Sequence, residues 1–142
     1  MALCLITGNK GYIGSALYGR LLALDHDVVG IDYKEDSSWD ILNGLERIEK
    51  YDFDYVFHLA CIPRVAYSVE QPIHTMMNNV LSTSIVLDFA KRKNVKRVIY
   101  SGSSSVVGNG DGPTSPYALQ KLTSEIETKL YSDLYGIDTV TL

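Results

Sequence analysis

The sequence has few of the residues that form cross-links or metal sites. It contains two cysteines, Cys4 and Cys61, both beside apolar residues in predicted strands, and this is too few for a disulfide framework. The three histidines, His26, His58 and His74, have no spacing that groups them with other ligands. We therefore predict a reducing compartment, structural histidines and no bound metal.

The chain also lacks a long apolar run. Its opening stretch, "MALCLITGN", has no basic segment, and its apolar residues are too few to cross a bilayer. We predict a cytoplasmic protein with no membrane partner.

Positive charge is in the minority. Thirteen lysines and arginines against 17 aspartates and glutamates give a net charge of −4, which repels polyanions over most of the surface. The one basic cluster, "KRKNVKR" at 91–97, is typical of a solvated helix end, where cations oppose the helix dipole. We predict no nucleic-acid partner.

Apolar segments recur at regular intervals along the chain. The segments "ALCLIT", "DVVGID", "DYVFHLA", "VKRVIYS" and "IDTVTL" resemble parallel strands buried on both faces. Helical periodicity between them predicts helices at 12–25, 41–50, 70–93 and 117–135. This α/β alternation predicts one domain over 1–142, a Rossmann-like doubly wound parallel sheet of about five strands with helices on both faces.

A glycine-rich turn follows the first predicted strand. In "TGNKGYIGSAL", Gly8, Gly11 and Gly14 open the first helix, where bare backbone N–H groups can receive a pyrophosphate. Asp32 ends the second strand 18 residues after Gly14, where a carboxylate binds ribose hydroxyls and repels the 2′-phosphate of NADP. NAD is therefore favoured, although Lys34 lies close enough to weaken the preference. The alternatives are a plain tight turn and an ordinary polar strand end.

Several further motifs occur in a characteristic order. They are "WDIL" at 39–42, "HLAC" at 58–61, "NNVLST" at 78–83, "YSGSSSVVG" at 100–108 and Tyr117-x-x-x-Lys121. Together with the glycine turn, they resemble the extended short-chain dehydrogenase/reductase family, and within it the nucleotide-sugar epimerases, UDP-galactose 4-epimerases among them.

Tyr117 and Lys121 lie four residues apart and would share one face of a helix, which places the ammonium near the phenol. A lysine cation and a positively charged nicotinamide would favour the phenolate. The resemblance implies that Tyr117 takes the proton of the C4 hydroxyl of a UDP-hexose while NAD accepts the hydride from C4. It also implies that Ser103 hydrogen-bonds the same sugar hydroxyl and that Lys121 holds the nicotinamide ribose.

The resemblance implies other cofactor contacts as well. Two residues would line the pyrophosphate, three would surround the adenosine, three would continue the cofactor trough, and an asparagine would stiffen the central helix. In that order, they are Tyr12 and Ile13, then Tyr33, Asp40 and Ile41, then Leu59, Ala60 and Arg64, and then Asn79. Ser101, after the fourth predicted strand, completes the set of expected cofactor residues. Arg64 fits a surface cation equally well.

The residues after Ser103 separate subclasses of the family. Nucleotide-sugar dehydratases carry an Asp-Glu pair there, and the related decarboxylases need a glutamate, whereas this sequence has Ser104 and Ser105. Epimerase or simple oxidoreductase chemistry is therefore favoured. Val107 departs from the usual tyrosine and removes an expected sugar contact.

Family members normally continue beyond the strand that ends this sequence. The resemblance therefore implies that the substrate-binding C-terminal region is absent, and the segments 32–54 and 103–117 also look short. Three interpretations remain open: a minimal enzyme, a truncated NAD-binding product without turnover, and a dimeric cofactor-binding module with another role. By analogy with the family, we predict a homodimer through helices 70–93 and 117–135.

Overall fold

The computed structural model describes all 142 residues and contains one parallel sheet of five strands. The strands lie in the order β2-β1-β3-β4-β5, with every neighbouring pair parallel. Their bounds are β1 Leu3–Thr7, β2 Asp27–Ile31, β3 Tyr55–His58, β4 Arg97–Tyr100 and β5 Asp138–Thr141. The predicted Rossmann-like sheet is confirmed.

Five α-helices cover the two faces of the sheet. Right-handed crossovers place α1 on one face, against β1 and β2, and the other four helices on the opposite face. Their bounds are α1 Tyr12–Leu22, α2 Val65–Glu70, α3 Pro72–Met76, α4 Ser82–Arg92 and α5 Pro116–Tyr135. None of them combines the length and the apolar character that a membrane span requires.

The chain reverses direction across the sheet at β1. The first crossover leads to β2 on one side, and the next leads to β3 on the other side of β1. Thr7 pairs with both Ile31 and His58, so the three strands end at the same level. Ligands of open α/β sheets bind in the crevice at such a switch point.

The predicted helix at 41–50 is wrong. The chain forms short 3-10 turns at Ile41–Asn43 and Glu46–Ile48 instead. Gly44 separates them with φ +93°, a left-handed conformation that ends helical propagation. The helical spacing of apolar residues was real, because Ile41, Leu45 and Ile48 all enter the core.

The predicted helix at 70–93 is found as an unbroken helical run from residue 72 to residue 92, although it begins two residues later and contains a π-helical turn. The proline ring of Pro72 disfavours a helical conformation at Gln71, whose φ of −131° and ψ of 61° separate α2 from α3. A π-helical turn, Met77–Leu81, then joins α3 to α4. Such turns are frequent at functional sites, and this one contains Asn79.

The core lies between the sheet and α4. Leu5, Val56 and Val98 contribute its sheet side, while Val86 and Phe89 pack onto them from the helix. The basic cluster at 91–97 lies at the end of this helix and beyond it. Lys91 and Arg92 lie in the last turn of α4, as predicted for a helix end. Other members of the cluster form surface ion pairs beyond the helix, as at Lys96–Asp54 and Arg97–Asp138.

Candidate functional site

A cleft of about 460 Å³ opens at the carboxyl ends of β1, β2 and β3. Its volume is typical of small-molecule sites. Nine of the predicted cofactor residues line it: Gly8, Gly11, Asp32, Tyr33, Asp40, Ile41, Leu59, Ala60 and Arg64. The loop after β3 adds Ile62 and Pro63, which no sequence motif had marked. Cys61, Asn78 and Ser82 also line the cleft; they belong to the motifs at 58–61 and 78–83 but had been given no cofactor role.

The glycine turn requires bare backbone at two positions. Gly8 has φ +77°, and a Cβ there would lie 2.9 Å from the Ala60 nitrogen. A Cβ on Gly14 would overlap the Gly8 carbonyl oxygen. The glycines therefore permit β1, α1 and the chain after β3 to approach closely. Because these glycines have no side chains, a ligand can also lie directly against the backbone.

The N-terminus of α1 offers free hydrogen-bond donors. Gly11 is its N-cap and has no side chain to accept from the first turn, where there is also no acidic residue. The first backbone N–H bonded back along the helix is that of Ser15, which leaves those of Tyr12, Ile13 and Gly14 available. The side chains of Tyr12 and Ile13 are 96% and 64% exposed, so their backbone is the part suited to an anion.

Asp32 lies at the end of β2 with its carboxylate fixed by the backbone. One oxygen accepts the Lys10 N–H at 3.0 Å, and the other accepts the Lys34 N–H at 2.9 Å. The residue is buried, yet it lines the cleft. A held carboxylate with free lone pairs suits a vicinal diol such as a ribose. With the glycine turn, it fits the adenosine and pyrophosphate portions of a dinucleotide.

The far wall of the cleft is built from the 3-10 turns after β2. Asp40 caps one of them by accepting the Leu42 N–H at 3.0 Å. Ile41 is buried in the core, and the Arg47 guanidinium lies 5.2 Å from the centre of the Trp39 ring. The wall is therefore largely apolar, and these contacts hold it in place. Such a surface suits a flat base.

A buried polar chain runs beneath the floor of the cleft. Thr7 Oγ1 accepts the N–H groups of Leu59 and Ala60, each at 3.2 Å, so its own proton is left for His58 Nδ1 at 2.7 Å. His58 Nε2 therefore carries the ring proton and donates it to Thr83 Oγ1 at 3.0 Å. Burial lowers the pKa of His58 to about 3. The predicted structural role of this histidine is confirmed.

Asn79 does not line the cleft but holds its rim in place. Its Oδ1 accepts the Ile62 N–H at 2.7 Å, and its Nδ2 donates to the Ile62 carbonyl at 3.2 Å and to Gln120 Oε1 at 2.9 Å. Asn79 therefore ties the loop after β3 to α5. Its contribution to a cofactor site would be indirect.

Tyr117 and Lys121 lie on the inward face of α5. Ser115 caps the helix by accepting the Ala118 N–H at 3.1 Å, and Pro116 occupies its first turn. Both site residues are buried, with exposed fractions of 9% and 3%. The Lys121 ammonium donates to the Ser101 carbonyl at 2.6 Å, so Ser101 contributes by positioning this lysine.

Cys61 connects the cleft to this pair. It lies beyond the end of β3, rather than in a strand as predicted, and it lines the cleft. Burial raises the pKa of its thiol, and the charge of Lys121 opposes the rise. The thiol also raises the pKa of Tyr117, though less than burial does.

The pKa of Tyr117 differs from the sequence-based expectation. Burial raises it above the ordinary value of a tyrosine, and hydrogen bonding by Ser103 opposes the rise. The Lys121 cation is directed to Ser101 and lies 4.6 Å from the centre of the Tyr100 ring. In the protein alone, the lysine cation therefore has the Ser101 carbonyl as its hydrogen-bond acceptor, and the pKa of Tyr117 is raised rather than lowered.

Ser103 begins the 3-10 turn Ser104–Val107, and its hydroxyl lies 2.7 Å from the Ser105 hydroxyl. No acidic residue occurs in this turn. The structure contains no cluster of three or more side chains suited to a metal ion.

Comparison with known proteins identifies a family and relatives that share this architecture. A sequence model described as the NAD dependent epimerase/dehydratase family matches residues 4–142. UDP-glucose 4-epimerase from Mycolicibacterium smegmatis is 30% identical over 164 residues, which cover 94% of this chain and 52% of the relative. Protein CapI from Staphylococcus aureus is 30% identical and covers 97% of this chain and 52% of the relative. The chain spans about half the length of the curated relatives it matches.

Solved structures agree with this placement. UDP-N-acetylglucosamine 4-epimerase from Methanobrevibacter ruminantium M1 superimposes with a TM-score of 0.88 at 29% identity, over 99% of this chain and 53% of that one. UDP-glucose 4-epimerase from Brucella ovis, in complex with NAD, gives a TM-score of 0.89 at 28% identity, over 99% and 51%. From the family match over nearly its whole length, this chain belongs to the NAD dependent epimerase/dehydratase family.

Proposed function

We propose that this chain binds NAD in the cleft and acts on a nucleotide sugar by transient oxidation of a UDP-hexose at C4. The observation that carries the proposal is the continuity of the site. The cleft runs from the glycine turn and Asp32 to Cys61, just beyond the end of β3. Lys121, one helical turn from Tyr117 on α5, donates to the carbonyl of Ser101, just beyond the end of the neighbouring strand β4. A cofactor lying along it would bring its reactive end to the two side chains that can move a proton.

The proposed cofactor contacts follow from the geometry of the cleft. The free N–H groups at the start of α1 would bind the pyrophosphate, and Asp32 would bind the adenosine ribose. Tyr33, Asp40 and Ile41 would enclose the adenine. Arg64 lines the same cleft and suits a diphosphate, because a guanidinium can donate two parallel hydrogen bonds.

NAD, when bound, supplies a hydride acceptor that can later return the hydride to the sugar carbon. The protein contributes the proton chemistry. Tyr117 is the proposed base for the sugar hydroxyl, and Ser103, which opposes the rise in the pKa of Tyr117, would orient the same oxygen. Lys121 supplies a fixed cation beside them, because its ammonium is held on the Ser101 carbonyl.

Epimerisation fits the residues near Ser103 better than elimination of water does. Ser104 and Ser105 occupy the turn where a dehydratase would need an acid and a base, and neither hydroxyl has the acidity for that role. The relatives from M. smegmatis and B. ovis are both UDP-glucose 4-epimerases, which supports the same substrate class.

A second candidate function is NAD binding without turnover. The observation that favours it is that the chain spans about half the length of its relatives. Val107, where the resemblance implies a tyrosine contact to the sugar, is 59% exposed. In this candidate the chain would keep the cofactor contacts proposed above and would not turn over a sugar.

We also propose that the chain forms a homodimer through the helical face opposite the sheet. The outer side of α5 presents an apolar stripe that no other element covers, and the neighbouring helical segment presents a second group. These exposed residues are Leu119, Ile126, Leu130 and Leu134 on α5, and Ile73, Met77 and Leu81 beside it. Self-complementary apolar patches of this kind suit a twofold interface.

The proposed reaction is tested with purified protein, NAD and UDP-galactose, with formation of UDP-glucose as the signal. Wild type is expected to convert the sugar, and Tyr117→Phe, which lacks the hydroxyl, is expected to lose at least about a hundredfold in rate. Equal rates for both proteins would reject the enzymatic proposal. Calorimetric titration with NAD separates the second candidate, which predicts binding by both proteins and turnover by neither.

A further inference from the structure

Two lysines flank the carboxylate of Asp32. The backbone N–H groups of Lys10 and Lys34 donate to its two oxygens, so both side chains start from the same small region. The side chains then diverge. Lys34 lines the cleft, whereas the Lys10 ammonium forms an ion pair with Glu35 at 3.2 Å.

This arrangement bears on the choice between NAD and NADP. Asp32 repels a 2′-phosphate at its ribose, but two free lysines beside it could offset that repulsion. Glu35 forms an ion pair with one of the two lysines, Lys10, so that two carboxylates, those of Asp32 and Glu35, stand against two ammonium groups. The charges around this corner of the cleft are therefore balanced rather than positive.

We propose that Glu35 is a specificity-determining residue, which preserves the preference for NAD by holding Lys10 away from the position of a 2′-phosphate. The proposal rests on the cofactor site proposed above. Glu35 and Lys10 have exposed fractions of 46% and 45%, so solvent screens their pair. The effect on affinity is accordingly a few-fold and not a complete reversal.

The test is calorimetric titration of the full chain with NAD and with NADP. Glu35→Gln is expected to tighten NADP binding about threefold to fivefold and to change NAD binding by less than about twofold. The gain should shrink as salt is raised. Lys10→Gln combined with Glu35→Gln should abolish it, because the released lysine is the group that receives the phosphate.

Asp133→Asn serves as the matched control, because it breaks an exposed ion pair with Lys129 on α5. It should leave the ratio of the two affinities unchanged. NAD binding by wild type together with an unchanged ratio in Glu35→Gln would overturn the role of Glu35 alone. A gain that persists in the double variant would also overturn it. No binding of either nucleotide by wild type would overturn the cofactor site and this inference together.

Discussion

His58 Nε2 lies 3.0 Å from the Thr83 hydroxyl and thereby joins strand β3 to helix α4 beneath the cleft. The other ring nitrogen accepts from Thr7, so both sides of the imidazole are bonded in its neutral form. Protonation would place a second donor against the Thr7 hydroxyl, whose lone pairs are already used by two backbone N–H groups. The geometry therefore keeps this histidine neutral.

The neutral state of His58 predicts that the protein loses stability in acid. The folded-state pKa is about 3 and the ordinary value is 6.5, so the unfolded chain binds more protons between these values. The free energy of unfolding should fall as pH decreases through this window, by at most about 1.4 kcal/mol per pH unit. Urea unfolding at pH 7 and pH 5 measures it.

His58→Gln retains a donor and an acceptor but does not titrate. Its loss of stability between pH 7 and pH 5 should be smaller than that of wild type by up to about 2 kcal/mol. His74→Gln, a change at an exposed histidine, should match wild type in this respect. A wild-type pH dependence in His58→Gln would show that another group causes it.

The two glycines of α1 should respond in opposite ways to alanine. Gly14→Ala would force a methyl group onto the Gly8 carbonyl, with an expected cost of about 1–3 kcal/mol of stability and weaker NAD binding. Gly19 has open space around its Cβ position, so Gly19→Ala should stabilise the helix by about 0.5–1 kcal/mol. Urea unfolding and calorimetry measure both effects. Unchanged unfolding and NAD binding in Gly14→Ala would contradict the close approach.

The proposed dimer predicts that a charge on the α5 stripe weakens association. Leu130→Asp changes both subunits of a twofold interface, so the dimer dissociation constant should rise at least about a hundredfold. Leu24→Asp is the matched control, because Leu24 is 49% exposed, like Leu130 at 48%, but lies in the turn after α1. Sedimentation equilibrium measures the constant. A wild-type monomer, or equal effects of the two changes, would rule out this interface.

The strands and the glycine turn were predictable because their signals are local. Buried parallel strands need continuous apolar runs, and the turn after β1 needs glycines at Gly8 and Gly14 whatever lies elsewhere. The helix predicted at 41–50 was wrong because apolar spacing shows which side chains enter the core but does not fix the backbone conformation. Gly44, with its positive φ, divides this segment into separate short turns, and the apolar side chains enter the core from those turns.

The residues of the cleft were predicted as members of a set, but their individual roles were not. Asn79 was expected to stiffen the central helix and Ser101 to bind the cofactor; in the structure the first holds Ile62 and the second holds Lys121, and cofactor contact by either stays a prediction. The expected lowering of the pKa of Tyr117 is not found in the protein alone, because burial raises it. Helical spacing places two residues on one face, but it does not give the direction in which a flexible ammonium points.

The amino-acid sequence by itself determined the five strands in their order along the chain, the bare backbone of the glycine turn and the acid at the end of β2. Each follows from the conformational limits and burial of a short stretch of chain. Only the tertiary structure decided the neutral state of His58, the partners of Asn79 and the pairing of Lys10 with Glu35. These depend on desolvation and on contacts between segments that are distant in the chain, and such contacts exist only once the sheet has assembled.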